Sequence, residues 1–181
     1  VRALAKVAAE FPDATLVLAG TEKTVDWGSY QQREVAYVRQ LIDKLGLRNN
    51  VFVNFFSWHQ MPDIYRLAEF VIYPSTFEEP FGLVMLEAMA SGKPIIVTNA
   101  GGMPEVVRDG VTGFVVPKCD ADALAARCLE LLREPALARE MGERGREEVL
   151  ARYTKERMAL RTIDFYKKVA GQDKLEVASG G

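Results

Sequence analysis

Five short apolar runs alternate with longer helical patterns along this chain, and few architectures accommodate that alternation. The runs fall at residues 15–19, 51–55, 70–74, 94–98 and 114–116. Several are apolar at consecutive positions, as strands are when helices cover both faces of a parallel sheet. Helical periodicity marks residues 2–10, 30–45, 61–68, 83–91, 103–109 and 122–133 between and around them. Gly46, Gly92 and Gly110 stand just past helical stretches, where a left-handed cap is wanted. Two further helices, at 135–152 and 154–170, close the pattern, with Thr154 suited to cap the second. The alternation predicts an α/β layered fold, a parallel sheet flanked by helices. A single domain over residues 1–170 accounts for it. Residues 171–181 add only Leu175 and Val177 as apolar marks and are expected to form a disordered tail.

Composition narrows the function classes. The 181 residues carry a formal net charge of −2, which gives nucleic-acid binding no support. No apolar run reaches the length of a membrane span, and no signal-peptide pattern opens the chain. Cys119 and Cys128 are too few for a disulfide framework and lack metal-like companions. Both are read as reduced thiols in a cytoplasmic setting, Cys128 in the core.

The chemistry concentrates between the third strand and the fourth helix, in Glu78-Glu79-Pro80-Phe81-Gly82-Leu83-Val84-Met85-Leu86-Glu87. Pro80 biases Glu79 toward an extended conformation. Gly82 lets backbone approach a ligand closely. The first amides of the helix, from about Gly82 to Val84, lack intrahelical partners and carry its positive end, so a phosphate fits there. Glu87 lies four residues past Leu83, on the same face and about 6 Å further along the axis. A carboxylate there can accept hydrogen bonds from a diol such as ribose, while Glu79 points into the same crevice. Gly101-Gly102 either lines that pocket or simply turns the chain. Residues 21–29 form a polar loop after the first strand, in which Trp27 stacks on a ligand or caps the domain edge. His59, the only histidine, is read as a loop residue.

The run closely resembles the nucleotide-sugar site of retaining glycosyltransferases of the GT-B fold, the group that includes glycogen and sucrose-phosphate synthases. Likeness extends to Asn49-Asn50-Val51-Phe52-Val53, Met61-Pro62-Asp63-Ile64-Tyr65-Arg66-Leu67-Ala68, Gly92-Lys93-Pro94-Ile95-Ile96-Val97-Thr98 and Gly101-Gly102-Met103-Pro104-Glu105-Val106-Val107. The resemblance implies a Rossmann-like, carboxy-terminal GT-B domain. It implies that Glu79 is the catalytic carboxylate, contacting donor hexose hydroxyls beside the anomeric carbon. The amides of Phe81 and Gly82 would face the hexose, those of Leu83 and Val84 the diphosphate. Glu87 would hold the ribose, and the loop Phe56-Ser57-Trp58 would lie against the nucleobase.

Family members also carry an earlier strand ending in Gly-Arg, with a lysine several residues on, which neutralise the departing diphosphate. Arg2 and Lys6 do not match that pair, and the first strand is apparently missing. That strand should be the central one of a 3-2-1-4-5-6 order, so its neighbours would keep unpaired edges. Either another chain fills the gap or the sheet departs from the family arrangement. The amino-terminal acceptor-binding domain of such enzymes is a further partner absent from this chain, through which peripheral membrane contact is possible. The expected function is retaining transfer of a hexose from a UDP-, ADP- or GDP-linked sugar, with no metal or other cofactor and with the chain inactive by itself. An inactive nucleotide-sugar-binding module is the alternative, and a nucleotide-sugar epimerase a more remote one.

Overall fold

Every residue of β4 (Ile95–Thr98) is buried, and the chain is arranged about that strand. The computed structural model describes residues 1–21 and 29–171, with side-chain surroundings given for 1–20 and 35–171. Successive side chains of β4 alternate between faces, as in any strand. Ile96 joins Phe114 and Val116 of β5 (Gly113–Val116), together with α1 (Arg2–Glu10) and α6 (Ala121–Arg133), in one apolar cluster. Ile95 and Val97 join a second cluster with α4 (Leu83–Ala90), α5 (Met103–Val106) and α7 (Pro135–Arg152). Burying each such aliphatic side chain contributes about 1.5–3 kcal/mol.

The sheet forms in two parallel pieces. β3 (Val71–Tyr73), β4 and β5 make one, with Ile72 opposite Ile96 and Ile96 opposite Phe114. β1 (Leu16–Thr21) and β2 (Val51–Phe56) make the other, with Leu16 opposite Val51. Among the described residues no ladder joins β1 to β3, so each keeps an unpaired edge, as the resemblance implied for the neighbours of its central strand.

Two expectations need correction. Burial on both faces holds for β4 but fails for β1 and β2, where Val17, Phe52 and Phe55 are 43%, 56% and 49% exposed. Leu16, Leu18 and Val51 pack into the cluster under α1, while no described element covers the opposite face. The helix expected at 103–109 stops at Val106. Val107 turns extended, and the Arg108 N–H donates to the buried Thr112 hydroxyl at 3.0 Å instead of continuing a helix.

The remaining elements follow their local signals. α2 spans Ser29–Lys44 and α3 spans Met61–Leu67. Asp120 caps α6 by accepting from the N–H groups of Asp122 and Ala123 at 3.0 and 2.8 Å. Thr154 caps α8 (Lys155–Val169) by accepting from the Arg157 N–H at 3.2 Å. α8 buries none of its residues. Cys128 sits in the α6 core, where burial pushes its thiol up to about 12. Trp27 and the tail beyond Gly171 lie outside the described residues.

Candidate functional site

The connection from β3 to α4 is anchored before it reaches the glutamates. Thr98, buried at the end of β4, donates its hydroxyl to the Ser75 carbonyl at 2.6 Å. The Ser75 hydroxyl in turn donates to the Phe77 carbonyl at 3.0 Å. The loop is thus tied to the carboxyl end of the central strand, where open α/β sheets bind ligands.

Gly82 then starts the helix at φ 75°, a left-handed conformation. A Cβ there would stand 2.9 Å from the Tyr73 ring and 3.2 Å from Glu79 Cγ, so both conformation and space require glycine. Among the described residues, the amides of Phe81, Gly82, Leu83 and Val84 have no acceptor. The next amide, of Met85, donates to the Gly82 carbonyl at 3.0 Å. These four N–H groups, with the positive end of α4, form a place suited to a phosphate.

A tyrosine hydroxyl holds each flanking carboxylate. Tyr73, the last residue of β3, donates to Glu79 Oε2 at 2.8 Å. Tyr65, buried on α3, donates to Glu87 Oε2 at 2.7 Å. Burial, then the hydrogen bond to Glu79, push the Tyr73 phenol up to about 12. Burial, then the bond to Glu87, push Tyr65 well above the ordinary tyrosine range. Both hydroxyls therefore remain donors at neutral pH. Oε1 of each glutamate has no partner among the described residues and can accept from a ligand hydroxyl. Neither tyrosine stood out in the sequence as a site residue. The available signal was a phenol closing an otherwise apolar strand, which must carry its hydroxyl to the strand's carboxyl end.

The glycine pair does more than turn the chain. Gly101 has φ 53°, and a Cβ there would overlap the Glu79 carbonyl oxygen and stand 2.7 Å from the Glu79 nitrogen. A Cβ on Gly102 would come 2.7 Å from the Pro80 carbonyl oxygen. The Gly102 N–H donates to the Glu79 carbonyl at 2.9 Å. Bare backbone at 101–102 therefore packs directly against the backbone of the glutamate run.

Phe56 ends β2, and Ser57 begins a tight turn in which its N–H and hydroxyl donate to Gln60 Oε1 at 2.9 and 3.0 Å. That turn leads into α3 and connects with Glu87 through Tyr65. His59 is exposed in it, its ring 5.8 Å from that of Trp58. Arg2 and Lys6 face other groups, the Tyr37 hydroxyl at 3.0 Å and Asp122 respectively. A groove of about 450 Å³ runs between the start of α4 and α8, past Phe81, Leu83, Tyr153 and Phe165. A second cleft, of about 320 Å³, lies beside Arg108 and the half-buried Glu148, which Arg108 and Arg152 approach at 2.7 and 2.8 Å. Glu79 and Glu87 line neither; Glu79 is half-buried and Glu87 exposed.

Residues 1–148 match the family model described as glycosyl transferases group 1. The N-acetyl-alpha-D-glucosaminyl L-malate synthase of Bacillus anthracis is 33% identical over 175 residues, covering 96% of this chain and 42% of that protein. A sucrose-phosphate synthase structure from Thermosynechococcus elongatus superposes with a TM-score of 0.78 at 33% identity, over 94% of this chain and 42% of that one. The Anabaena HepE structure in complex with UDP and glucose gives 0.81 at 25% identity, over 92% of this chain and 44% of that one. The chain thus spans about two fifths of the length of these relatives. The matched structures are GT-B glycosyltransferases, and the α/β fold with parallel strands flanked by helices agrees with that architecture.

Proposed function

Because this chain belongs to the group 1 glycosyl transferases, we propose that it is the nucleotide-sugar-binding part of a retaining hexosyltransferase. The observation that carries this reading is the pair of tyrosine-held carboxylates on either side of four unengaged amides. In the proposed complex the diphosphate lies on the amides of Leu83 and Val84, and the hexose on those of Phe81 and Gly82 and on Glu79. Glu87 takes the ribose, and Phe56-Ser57 borders the base. During transfer the bond between the anomeric carbon and the diphosphate oxygen breaks, its electron pair staying with the diphosphate. An acceptor hydroxyl oxygen bonds that carbon on the same face, and its proton passes to a phosphate oxygen. Amides fixed in advance lower the barrier by taking up charge that develops on the leaving group.

UDP is the first nucleotide to try, on the strength of the HepE complex, with ADP and GDP as the other candidates. The two-fifths coverage of relatives supports an acceptor-binding domain as partner. Two unpaired cysteines support a cytoplasmic setting. Among the described residues no helix is long and apolar enough to cross a membrane.

Titrating UDP, ADP and GDP into this chain, followed by a hexose-transfer assay, tests the proposal. Weak binding of one nucleoside diphosphate without transfer is expected. Turnover by the chain alone would overturn the assignment of half a site to it. In the same titration Tyr65→Phe should weaken nucleotide binding roughly 2- to 10-fold, the worth of one ordinary hydrogen bond of about 0.5–1.5 kcal/mol. Its melting temperature should hardly move, because Phe fills the same buried volume. An unchanged affinity would remove Glu87 from the ribose.

A further inference from the structure

Glu78 takes no part in the site described above, yet its carboxylate joins three segments. It turns away from the path of its neighbour Glu79. Oε2 accepts the Gly101 N–H at 2.5 Å, and Oε1 pairs with Lys118 just after β5. One residue on, the Glu79 carbonyl accepts the Gly102 N–H at 2.9 Å. At the base of the same segments the Asn99 N–H donates to the Val116 carbonyl at 2.7 Å. The β3–α4 run, the glycine turn and the exit of β5 are therefore fastened together beneath Glu79.

The other degrees of freedom around Glu79 are already restricted. Pro80 confines its backbone from the carboxyl side. The Tyr73 hydroxyl confines its carboxylate. Gly101 and Gly102 leave no space for the loop to sink, since any Cβ there would strike residues 79 and 80. What remains is rotation of the backbone on the amino side of Glu79, and Glu78 is the residue that governs it. We infer that Glu78 and Lys118 are positioning residues that aim Glu79 at the donor sugar and thereby set affinity for the intact nucleotide-sugar. The inference rests on the proposed contact between Glu79 and the hexose. The Lys118 ammonium, followed by the Gly101 amide, holds the Glu78 carboxyl below the usual glutamate range, so the clamp stays charged through neutral pH. An exposed ion pair of this kind adds little stability. Its effect is on direction, and it should appear in ligand discrimination rather than in melting temperature.

The test uses the full-length protein and calorimetry with UDP and UDP-glucose, or the ADP or GDP counterparts if those bind instead. Glu78→Gln keeps an acceptor for the Gly101 N–H and removes only the charge, Lys118→Met removes the cation but keeps the stem, and Lys118→Arg restores it. Glu78→Gln and Lys118→Met should each weaken the nucleotide-sugar roughly 3- to 5-fold, the upper end for one exposed ion pair. Nucleotide affinity should stay within about twofold, and Lys118→Arg should recover most of the loss. In a Glu79→Ala background the two losses should vanish, since residues acting through one another are not additive. If Glu79→Ala shows no sugar-specific loss, the hexose contact fails, and the inference with it. If Glu79→Ala is sugar-specific while Glu78→Gln and Lys118→Met match the parent protein, the contact stands and the clamp is refuted. Equal weakening of UDP and UDP-glucose by Lys118→Met would make Lys118 a diphosphate ligand and refute it too.

Discussion

In the hexosyltransferase proposed above, replacing Glu79 by alanine is expected to leave nucleoside-diphosphate affinity within about twofold of the parent protein. Hexose-transfer turnover should fall about 100-fold, the low end for losing one preorganised group at a reacting centre. Geometry gives the reason. Glu79 lies before the free amides, half-buried and held by Tyr73, with its other oxygen unengaged among the described residues. Glu87 lies a turn beyond those amides, exposed and held by Tyr65. Its removal should weaken free nucleotide and whole donor alike, because both contain the ribose. Losing charged hydrogen bonds costs about 1.5–3 kcal/mol, so both dissociation constants should rise roughly 10- to 150-fold. Calorimetry with nucleotide alone, then steady-state kinetics, separates the two roles. If Glu79→Ala abolishes nucleotide binding and Glu87→Ala leaves it intact, the site has been assigned in reverse.

Sequence carried the parts of this fold that depend on local pattern. Ile95-Ile96-Val97 is apolar without interruption because helices pack on both of its faces, and that burial is legible as hydrophobicity. Gly46, Gly92 and Gly110 announced left-handed caps and have φ values of 69°, 74° and 71°. The glutamate run was legible because proline, glycine and a helix start occur together within a few residues. Contacts between distant segments were not legible. Phe52 and Phe55 read as core yet lie exposed, because hydropathy cannot tell whether a second layer exists to cover them. Val107 continues an apolar helical pattern, and only the buried Thr112 hydroxyl reveals why the helix ends there. The tyrosine partners of Glu79 and Glu87 escaped notice because Tyr65 and Tyr73 are as natural in a core as in a site.

Two glycines of α7 make the same point energetically, and they should respond to alanine with opposite signs. Within a helix, Gly→Ala ordinarily stabilises by about 1 kcal/mol through backbone entropy. Gly145 should obey that rule. A Cβ there would meet Met89 Cγ and the Thr112 carbonyl oxygen at 3.5 Å, an ordinary van der Waals contact, and would fill space at the α4–α7 interface. Gly145→Ala is therefore expected to raise the melting temperature by roughly 2–4 °C, the shift about 1 kcal/mol gives a domain of this size. Gly142 stands where α7 crosses the turn after α4. Its Cβ would overlap the Gly92 carbonyl oxygen and come 2.9 Å from the carbonyl carbon. That carbonyl cannot retreat cheaply, because the neighbouring amides are committed: Gly92 N–H to the Met89 carbonyl at 2.9 Å, and Lys93 N–H to Ala88 at 3.2 Å. Lys93 and Pro94 lead directly into the buried β4, so displacement there is passed to the core. Overpacking against fixed backbone costs about 1–3 kcal/mol or more, enough to outweigh the helix gain. Gly142→Ala should lower the melting temperature by several degrees in the scan in which Gly145→Ala raises it. A stabilised Gly142→Ala protein would mean that α7 stands farther from the Gly92 turn than the backbone geometry requires.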